Sequence, residues 1–232
     1  MKILKRLFDK YKIPYTEQML NQLGQYYQMV IQTNKQFNLT AITDEDEFAI
    51  KHILDSVLPN QFLPLNATVI DIGAGAGFPS IPLKIIRPDL QITMIDSLNK
   101  RVNFLNEVIK KLELDGTIAV HTRAEDYAVN FRGRFDVAIA RAVAPLCTLA
   151  EYCLPFVKIG GVFIAMKGGN LQEELVQAQN AILLLGGERQ TTQEVVVEEI
   201  DAKRLNLIVK KIKPTPAKYP RGKNQPRLKP LV

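Results

Sequence analysis

Hydrophobic and polar positions follow two different periods along the chain, and the period changes near residue 65. Before that point the apolar residues recur at helical spacing, as in the set Leu4, Leu7 and Phe8 and the set Leu20, Leu23, Tyr27 and Ile31. Pro14 separates these two predicted helices, and Thr16 is positioned to cap the second. A third helix is predicted over 45–58, with Asp44 as its N-cap and Pro59 after its end.

From residue 67 onward, segments of strand character alternate with segments of helical character. The predicted strands are 68–72, 91–95, 117–121, 135–140, 161–166, 194–200 and 204–212. The predicted helices are 78–86, 98–113, 124–128, 145–153 and 170–185. This alternation predicts an α/β fold with a doubly wound, mostly parallel sheet covered on both faces. The near-continuous apolar runs VIDI and VAIA are typical of buried parallel strands.

The last two predicted strands differ from the others because only a short connection joins them. Such a connection predicts an antiparallel pair at the end of the sheet. A parallel sheet that ends in this way is familiar from methyltransferases that use S-adenosylmethionine. We therefore expect an N-terminal helical extension over 1–64, a methyltransferase-like domain over 65–213, and a basic C-terminal loop over 214–232 on or near the active site.

The composition describes a globular chain of 232 residues, 47% hydrophobic and 23% charged. Its two cysteines, Cys147 and Cys153, form neither a disulfide framework nor a metal site, which predicts a reducing, cytoplasmic setting and no bound metal. No apolar run has the length of a membrane helix. The net charge is +6, and residues 201–232 alone carry +9. This basic end predicts a polyanionic partner such as nucleic acid, with a solubilising tail as the alternative.

The sharpest motif is Asp71-Ile72-Gly73-Ala74-Gly75-Ala76-Gly77-Phe78-Pro79, between a predicted strand and a predicted helix. Glycines in this position let a ligand approach the backbone closely. The third glycine of a dinucleotide fingerprint would fall on Phe78, and Asp71 would repel a pyrophosphate. A carboxylate instead suits a cofactor with a sulfonium and an ammonium group. The loop therefore favours S-adenosylmethionine over NAD, and Pro79 is expected in the first helical turn.

Two further acidic positions follow strands. Asp96, with Ser97 beside it, ends the second predicted strand, where a doubly wound fold places the carboxylate that binds ribose hydroxyls. Capping of the next helix is the alternative role for Asp96. Glu125, after Ala124, follows the third strand and could reach an adenine ring, although acids also favour the first turn of a helix.

The fourth predicted strand ends at Arg141, beside the expected reaction centre. Enzymes that methylate exocyclic amino groups usually carry an Asn/Asp-Pro-Pro-aromatic stretch there, which this chain lacks. Arginine cannot act as a base, so the acceptor is expected to need no deprotonation. Guanine N7 fits, because it already has an in-plane lone pair. Arg141 is expected to orient a phosphate, a guanine edge or the cofactor carboxylate, or else to pair with an acid such as Asp71.

Taken together, these motifs resemble the RsmG (GidB) family of bacterial guanine-N7 methyltransferases of small-subunit ribosomal RNA. The resemblance runs almost end to end, through the segments NLTAI (38–42), HILDS (52–56), DIGAGAGFPS (71–80), Asp96-Ser97, Lys100-Arg101, Arg123-Ala124-Glu125, Arg141 to Ala144, Lys167-Gly168 and Tyr219-Pro220-Arg221. After Arg221 the chain departs from the family's usual tail, since Gly222 comes earlier.

The resemblance implies a class I methyltransferase fold and cofactor contacts by Gly73, Phe78, Ala124, Glu125 and Arg141, with Asp96 near the ribose. It also implies an RNA-facing side that includes His52, Lys100, Arg101, Lys167 and Arg221. To the cofactor set we add Asp71, Gly75, Gly77 and Ser97, and to the RNA set Lys223 and Arg227. His52 and Arg141 are expected to orient the reactants, with no general base.

The predicted activity is methyl transfer from S-adenosylmethionine to guanine N7 of small-subunit (16S) ribosomal RNA, by a monomer without a membrane partner. Two alternatives stay open. A non-catalytic RNA-binding assembly factor would explain the basic tail but not the glycine loop. An NAD-dependent oxidoreductase would share the fold but not use the tail.

Overall fold

A computed structural model describes residues 2–141, 144–168, 171–200 and 202–231. Its centre is one seven-stranded sheet in the order β3-β2-β1-β4-β5-β7-β6. The strands are β1 (Thr68–Ile72), β2 (Gln91–Asp96), β3 (Thr117–His121), β4 (Phe135–Arg141), β5 (Val157–Gly168), β6 (Gly187–Val197) and β7 (Ala202–Lys211). β1 to β5 are mutually parallel, and β7 runs antiparallel between β5 and β6. The predicted doubly wound α/β fold is confirmed.

Helices cover both faces of this sheet. They are α1 (Lys2–Lys10), α2 (Glu17–Asn34), α3 (Glu45–Phe48), α4 (Asp55–Val57), α5 (Ser80–Ile86), α6 (Asn99–Lys111), α7 (Ala124–Phe131), α8 (Leu146–Cys153), α9 (Leu171–Leu184) and α10 (Gln225–Leu228). Short 3₁₀ helices occupy Leu58–Phe62, Leu154–Phe156 and Glu198–Ile200. Across the described residues, none of these helices combines the length and apolarity that crossing a bilayer requires.

The N-terminal helices pack on one face and share its hydrophobic core with the sheet. That core unites Leu7 and Phe8 of α1 and Leu23 of α2 with Val69 of β1 and Ile81 of α5. The predicted capping is confirmed, because the Thr16 side chain accepts a hydrogen bond from the Met19 amide. The N-terminal helices therefore share one hydrophobic core with the sheet. The boundary at residue 64 between the extension and the methyltransferase domain stays a prediction.

The third predicted helix forms, but its hydrogen-bonding pattern changes along its length. Asp44 caps α3 as predicted. A π-helix then spans Ala49–Leu54, and α4 and a 3₁₀ turn carry the helical path to Phe62. The expectation that Pro59 follows the end is wrong: Pro59 lies in the first turn of the 3₁₀ segment, where its missing N–H needs no partner. π-helical turns are rare and frequently occur at functional sites.

Several predicted bounds need correction. β6 covers 187–197 and not 194–200, because residues 198–200 form a 3₁₀ turn in which Glu198 and Glu199 pair with Lys10 of α1. The predicted antiparallel pair of β6 and β7 does form at the end of the sheet, with β7 next to β5 and β6 at the edge. α5 begins at Ser80, with Pro79 as its N-cap residue and not in its first turn. The predicted helix start at 170 lies outside the described residues.

The second core, on the opposite face, contains α7, α8 and α9 and receives the C-terminal segment, residues 214–231. Both cysteines are buried in α8 within or beside this core. The C-terminal segment, which was predicted to be a loop, contains the four-residue helix α10. Arg132 donates hydrogen bonds to the carbonyls of Thr215, Pro216 and Tyr219, and the Tyr219 side chain is buried.

A buried ion pair anchors the same segment. The carboxylate of Glu151 in α8 is fully buried and accepts hydrogen bonds from the Arg221 backbone amide at 2.8 Å and from its guanidinium at 2.7–2.9 Å. Removing one partner of a buried pair leaves an uncompensated charge, which costs about 3–5 kcal/mol.

We therefore expect Glu151→Gln to release the C-terminal segment without unfolding the sheet. Local opening should become easier by about 3 kcal/mol, which raises the rate of tryptic cleavage after Lys218 to Lys223 by roughly a hundredfold. Limited proteolysis followed by mass spectrometry measures this rate. The matched control is Glu173→Gln, which alters an exposed carboxylate on α9. Equal cleavage of both variants would contradict the anchoring role.

Candidate functional site

The sheet places the candidate site at the carboxyl ends of β1 and β4. β1 pairs with β2 on one side and with β4 on the other, so the chain winds outward in opposite directions from this pair. Ligands of open α/β sheets bind in the crevice that such a reversal creates. The glycine loop leaves β1 at this point, and Arg141 ends β4 beside it.

The glycine loop is tied to the end of β2. Gly73 and Gly75 have φ angles of 75° and 61°, a backbone conformation that residues other than glycine rarely adopt. The Gly73 amide donates to the Ile95 carbonyl at 2.8 Å, and the Gly75 amide donates to Asp96 Oδ2 at 2.9 Å. Asp96 Oδ1 accepts from the Leu98 amide, just before α6. Asp96 thus fixes the loop and the start of the helix together.

Two adjoining pockets open along this loop. The first, about 120 Å³, lies over the ends of β2 and β3, and the second, about 310 Å³, lies over the glycine loop and Arg141. Both are lined by Gly73, Asp96, Ser97 and Arg227. We call this continuous space the glycine-loop crevice. Asn224 and Arg227 of the C-terminal segment form part of its wall.

Most of the predicted cofactor residues line the crevice. These are Gly73, Gly75, Phe78, Asp96, Ser97, Ala124, Glu125 and Arg141. Glu125 is buried, and its Oε1 accepts from Arg123 Nε at 3.1 Å and from the Asn224 amide at 3.4 Å. The C-terminal segment therefore contacts the same carboxylate that was predicted to reach an adenine ring.

Two predicted cofactor residues lie outside the lining. A Cβ on Gly77 would approach the Ile81 side chain to 2.5 Å, so this glycine permits close packing of loop and helix. Asp71 is fully buried and accepts a hydrogen bond from Ser80 Oγ at 2.7 Å. Burial raises the pKa of Asp71 to about 7, and Asp96 acts in the same direction, whereas Ser80 and Arg141 oppose it. Asp71 thus supports the loop from below.

The predicted pairing of Arg141 with Asp71 is not the contact that the structure contains. Arg141 Nη1 donates to Asp55 Oδ2 at 3.0 Å and to the Lys51 carbonyl at 3.3 Å. Its guanidinium also lies 4.7 Å from the centre of the Phe78 ring. Asp55 belongs to the HILDS motif, but its pairing across 86 residues gives no local sequence signal.

His52 contacts the same Phe78 ring as Arg141 does, and it also accepts a hydrogen bond from Arg141. Its ring stacks on Phe78 at 4.3 Å, and Arg141 Nη2 lies 3.1 Å from its Nδ1. A guanidinium can only donate, so Nδ1 is the acceptor and the proton resides on Nε2, which lies 2.7 Å from Thr40 Oγ1. Burial first, and then the charge of Arg141, lower the pKa of His52 to about 3. His52 is therefore a neutral ring with both nitrogens engaged inside the chain.

The other predicted RNA residues occupy different surroundings. Arg101 lines the crevice, and Lys100 lies over the Phe37 ring at 4.9 Å in a neighbouring groove. Lys223 is exposed. In contrast, Lys167 donates to Glu174 and to the Ala144 carbonyl at 2.7 Å, and Arg221 is held by Glu151. Those two contacts bind parts of the protein together, and an RNA role for them stays a prediction.

Sequence reasoning missed several residues of the site. Asp55, Thr40, Tyr152 and Asn224 reach it from distant parts of the chain. Thr40 and Asp55 lie in NLTAI (38–42) and HILDS (52–56), two of the segments that carry the family resemblance, although neither residue was given a role. Ala142 and Val143, which follow Arg141, lie outside the described residues.

Comparison with known proteins identifies the family. A family model described as rRNA small subunit methyltransferase G matches residues 19–205. The chain belongs to this family.

Relatives with the name Ribosomal RNA small subunit methyltransferase G match nearly the whole chain. The protein from Lactobacillus johnsonii is 44% identical over 96% of this chain and 95% of its own length. The protein from Alkaliphilus metalliredigens is 47% identical over 91% of this chain and 90% of its own length. The alignment with the Lactobacillus johnsonii protein therefore extends beyond residues 19–205 in both directions.

Solved structures with low sequence identity share the fold. M. jannaschii TYW2, crystallised in complex with AdoMet, is 16% identical with a TM-score of 0.58 over 74% of this chain and 80% of its own. An rRNA methylase from Streptococcus thermophilus is 14% identical with a TM-score of 0.51 over 69% of this chain and 95% of its own. At these sequence identities, the comparison shows that this chain shares the fold of those two proteins and nothing more.

The buried neutral state of His52 predicts a stability change with pH. Its pKa is about 3 in the folded chain and near 6.5 when unfolded, so the unfolded state binds the extra proton between these values. The stability that the neutral ring supports is complete above pH 6.5 and falls by about 1.4 kcal/mol per pH unit as the pH drops toward 3. His52→Gln should lack this component. Urea unfolding at pH 7, 6 and 5 measures it.

The matched control is His121→Gln, which removes an exposed histidine from the edge strand β3. It should keep the wild-type dependence on pH to within a few tenths of a kcal/mol. A His52→Gln variant with the same pH dependence as wild type would contradict the proposed burial of the neutral ring.

Proposed function

We propose that the chain transfers the methyl group of S-adenosylmethionine to N7 of a guanine in small-subunit ribosomal RNA. The observation that carries this function is the glycine-loop crevice itself, with carboxylates at its β2 and β3 end and the Arg141 guanidinium at its β4 end. Family membership supports the ribosomal RNA of the small subunit as the substrate.

The residues of the crevice fit this cofactor. Asp96 and Glu125 supply carboxylate oxygens for ribose hydroxyls and an adenine amino group. A Cβ at Gly75 would meet only the Gly73 carbonyl, at 3.9 Å, so the loop backbone is open to close approach. The cofactor would supply an activated methyl group on a sulfonium. Phe78 and Arg141 would confine the region around that methyl group and orient the acceptor base.

The acceptor needs orientation more than proton transfer. In the proposed reaction guanine N7 would attack with its own lone pair, the N7–CH₃ bond would form as the S–CH₃ bond breaks, and no proton would leave the base. The geometry agrees with this requirement, because both nitrogens of His52 are engaged and Arg141 cannot accept a proton. The enzyme would contribute proximity and alignment, which can supply several kcal/mol of the barrier reduction.

The family membership disfavours the two alternatives. An oxidoreductase would place a pyrophosphate at the glycine loop, above the buried Asp71. A non-catalytic assembly factor would not need a crevice that Asp96 and the C-terminal segment shape.

We also propose that the chain acts as a monomer in the cytoplasm, where small subunits are assembled. In this proposal residues 1–64 are an N-terminal extension, residues 65–213 are the methyltransferase domain, and residues 214–232 are a basic segment on the substrate side.

The decisive experiment measures transfer of labelled methyl from S-adenosylmethionine to RNA. Small ribosomal subunits from cells that lack the protein should accept label, recovered as 7-methylguanosine, and subunits from normal cells should not. Label in another nucleoside would refute N7 as the acceptor. Binding of S-adenosylhomocysteine without transfer would refute the RNA acceptor, and absence of such binding would refute the cofactor site.

The basic surface beside the crevice yields a separate prediction. Lys100→Glu at the start of α6 should weaken RNA affinity about three- to tenfold at low salt and reduce the salt dependence, because a cation near the RNA phosphates is lost. S-adenosylhomocysteine affinity should not change. The control is Lys110→Glu, the same charge change about 15 Å away at the far end of the same helix. Equal effects of both variants would exclude a local contact.

A further inference from the structure

A second layer of residues surrounds the Arg141 guanidinium. The Lys51 carbonyl, the His52 ring and the Asp55 carboxylate all accept from it, and all three come from one turn of the helical path. Residues 49–54 form the π-helix, in which the Asp55 amide donates to the Ile50 carbonyl. Residues 51, 52 and 55 lie on one side of this helical path, so that three acceptors face one guanidinium.

The Asp55 carboxylate is shared between two strands. Its Oδ2 accepts from Arg141 at the end of β4, and its Oδ1 lies 3.1 Å from Arg204 Nε on β7. Asp55 itself is only 8% exposed, so this pairing is screened weakly by solvent. Two guanidiniums on one carboxylate leave a net charge of +1, so Arg141 is held in place without losing its attraction for an anion or for the acceptor edge of guanine.

The orientation of Arg141 depends on this carboxylate. Stacking on Phe78 restricts the plane of the guanidinium but lets it slide, whereas the bond to Asp55 fixes it along that plane. A displacement of about 1 Å in a reacting arrangement can cost a hundredfold in rate.

We propose that Asp55 is a positioning residue for methyl transfer, which acts through Arg141 by fixing its guanidinium at the β4 end of the glycine-loop crevice. This inference rests on the proposed function. Asp55 reaches no substrate, and its contribution disappears when Arg141 is absent.

A double-mutant cycle tests this dependence. Asp55→Asn should lower kcat for methyl transfer about 10- to 100-fold, with KM for RNA and for S-adenosylmethionine changed less than about threefold. In the Arg141→Gln background, the same Asp55→Asn change should have an effect of less than about twofold. Unchanged kcat in Asp55→Asn, or independent effects that multiply in the double variant, would overturn the proposal.

Two comparisons separate positioning from general loss of structure. Asp136→Asn removes another carboxylate that pairs with a basic side chain, Lys158, at the opposite end of β4. It should lower the melting temperature but leave kcat within about twofold. Asp55→Glu keeps the charge and shifts it by one methylene, so it should fold and still lower kcat at least about fivefold. Wild-type kcat in Asp55→Glu would overturn the proposal even if Asp55→Asn fails to fold.

A measurement that does not depend on enzymatic activity distinguishes failure of the Asp55 proposal from failure of the proposed methyltransferase function. A guanidinium held in a buried ion pair protects its Nη protons from exchange with water, so a ¹⁵N–¹H spectrum should show an Arg141 signal that Arg141→Gln lacks. Asp55→Asn should lose that signal. Persistence of the signal in Asp55→Asn refutes the positioning role. Loss of the signal in Asp55→Asn, together with a wild-type protein that methylates no small-subunit RNA, refutes the proposed function alone.

Discussion

The reversal of strand order between β1 and β4 is the constraint on which the rest of the site depends. Because the helical connections leave these two strands toward opposite sides, a crevice opens between their carboxyl ends. A ligand can enter that space only if the backbone beside it can be approached closely, and the glycine loop provides such a backbone. The hydrogen bond from the Gly75 amide to Asp96 holds the loop against β2, so one carboxylate joins the loop, the strand and the start of α6.

Each face of the sheet contributes a different wall to the crevice. The N-terminal face supplies the π-helix, with its acceptors around Arg141. The opposite face supplies α8, whose buried Glu151 anchors the C-terminal segment and so places Asn224 beside Glu125. Neither wall belongs to the sheet itself. The crevice therefore depends on the N-terminal extension and on the C-terminal segment as well as on the central glycine motif.

The sequence predicted those parts of the fold that depend on local patterns. Continuous apolar runs located the central strands, and side-chain oxygens located the caps at Thr16 and Asp44. The start of β6 was missed because an edge strand such as GERQTTQ is exposed and polar, without the alternation that marks a half-buried strand. The π-helix was missed because its residues read as an ordinary amphipathic helix, and only tertiary contacts select the wider turn.

The site was predictable to a similar depth. The residues that a glycine loop and strand ends bring together, such as Asp96 and Arg141, were found, because topology alone places them. Residues whose role depends on a partner far along the chain were not. Asp55 pairs with Arg141 and Arg204, and Arg221, which the family resemblance places on the RNA side, pairs with Glu151. A charged side chain reveals its sign in the sequence, but its partner is decided by packing.

The charge balance of the reaction explains why such a site would emphasise rigidity. Methylation of guanine N7 moves a positive charge from sulfur to the purine ring and creates no new charge. A site for this step gains little from a strong field that changes during the reaction, and much from fixed alignment. The crevice has this character: His52 is held neutral, Arg141 is shared by three acceptors and an aromatic ring, and the acids that line it are already bonded to backbone amides. These are arrangements that keep groups in place while the charge moves past them.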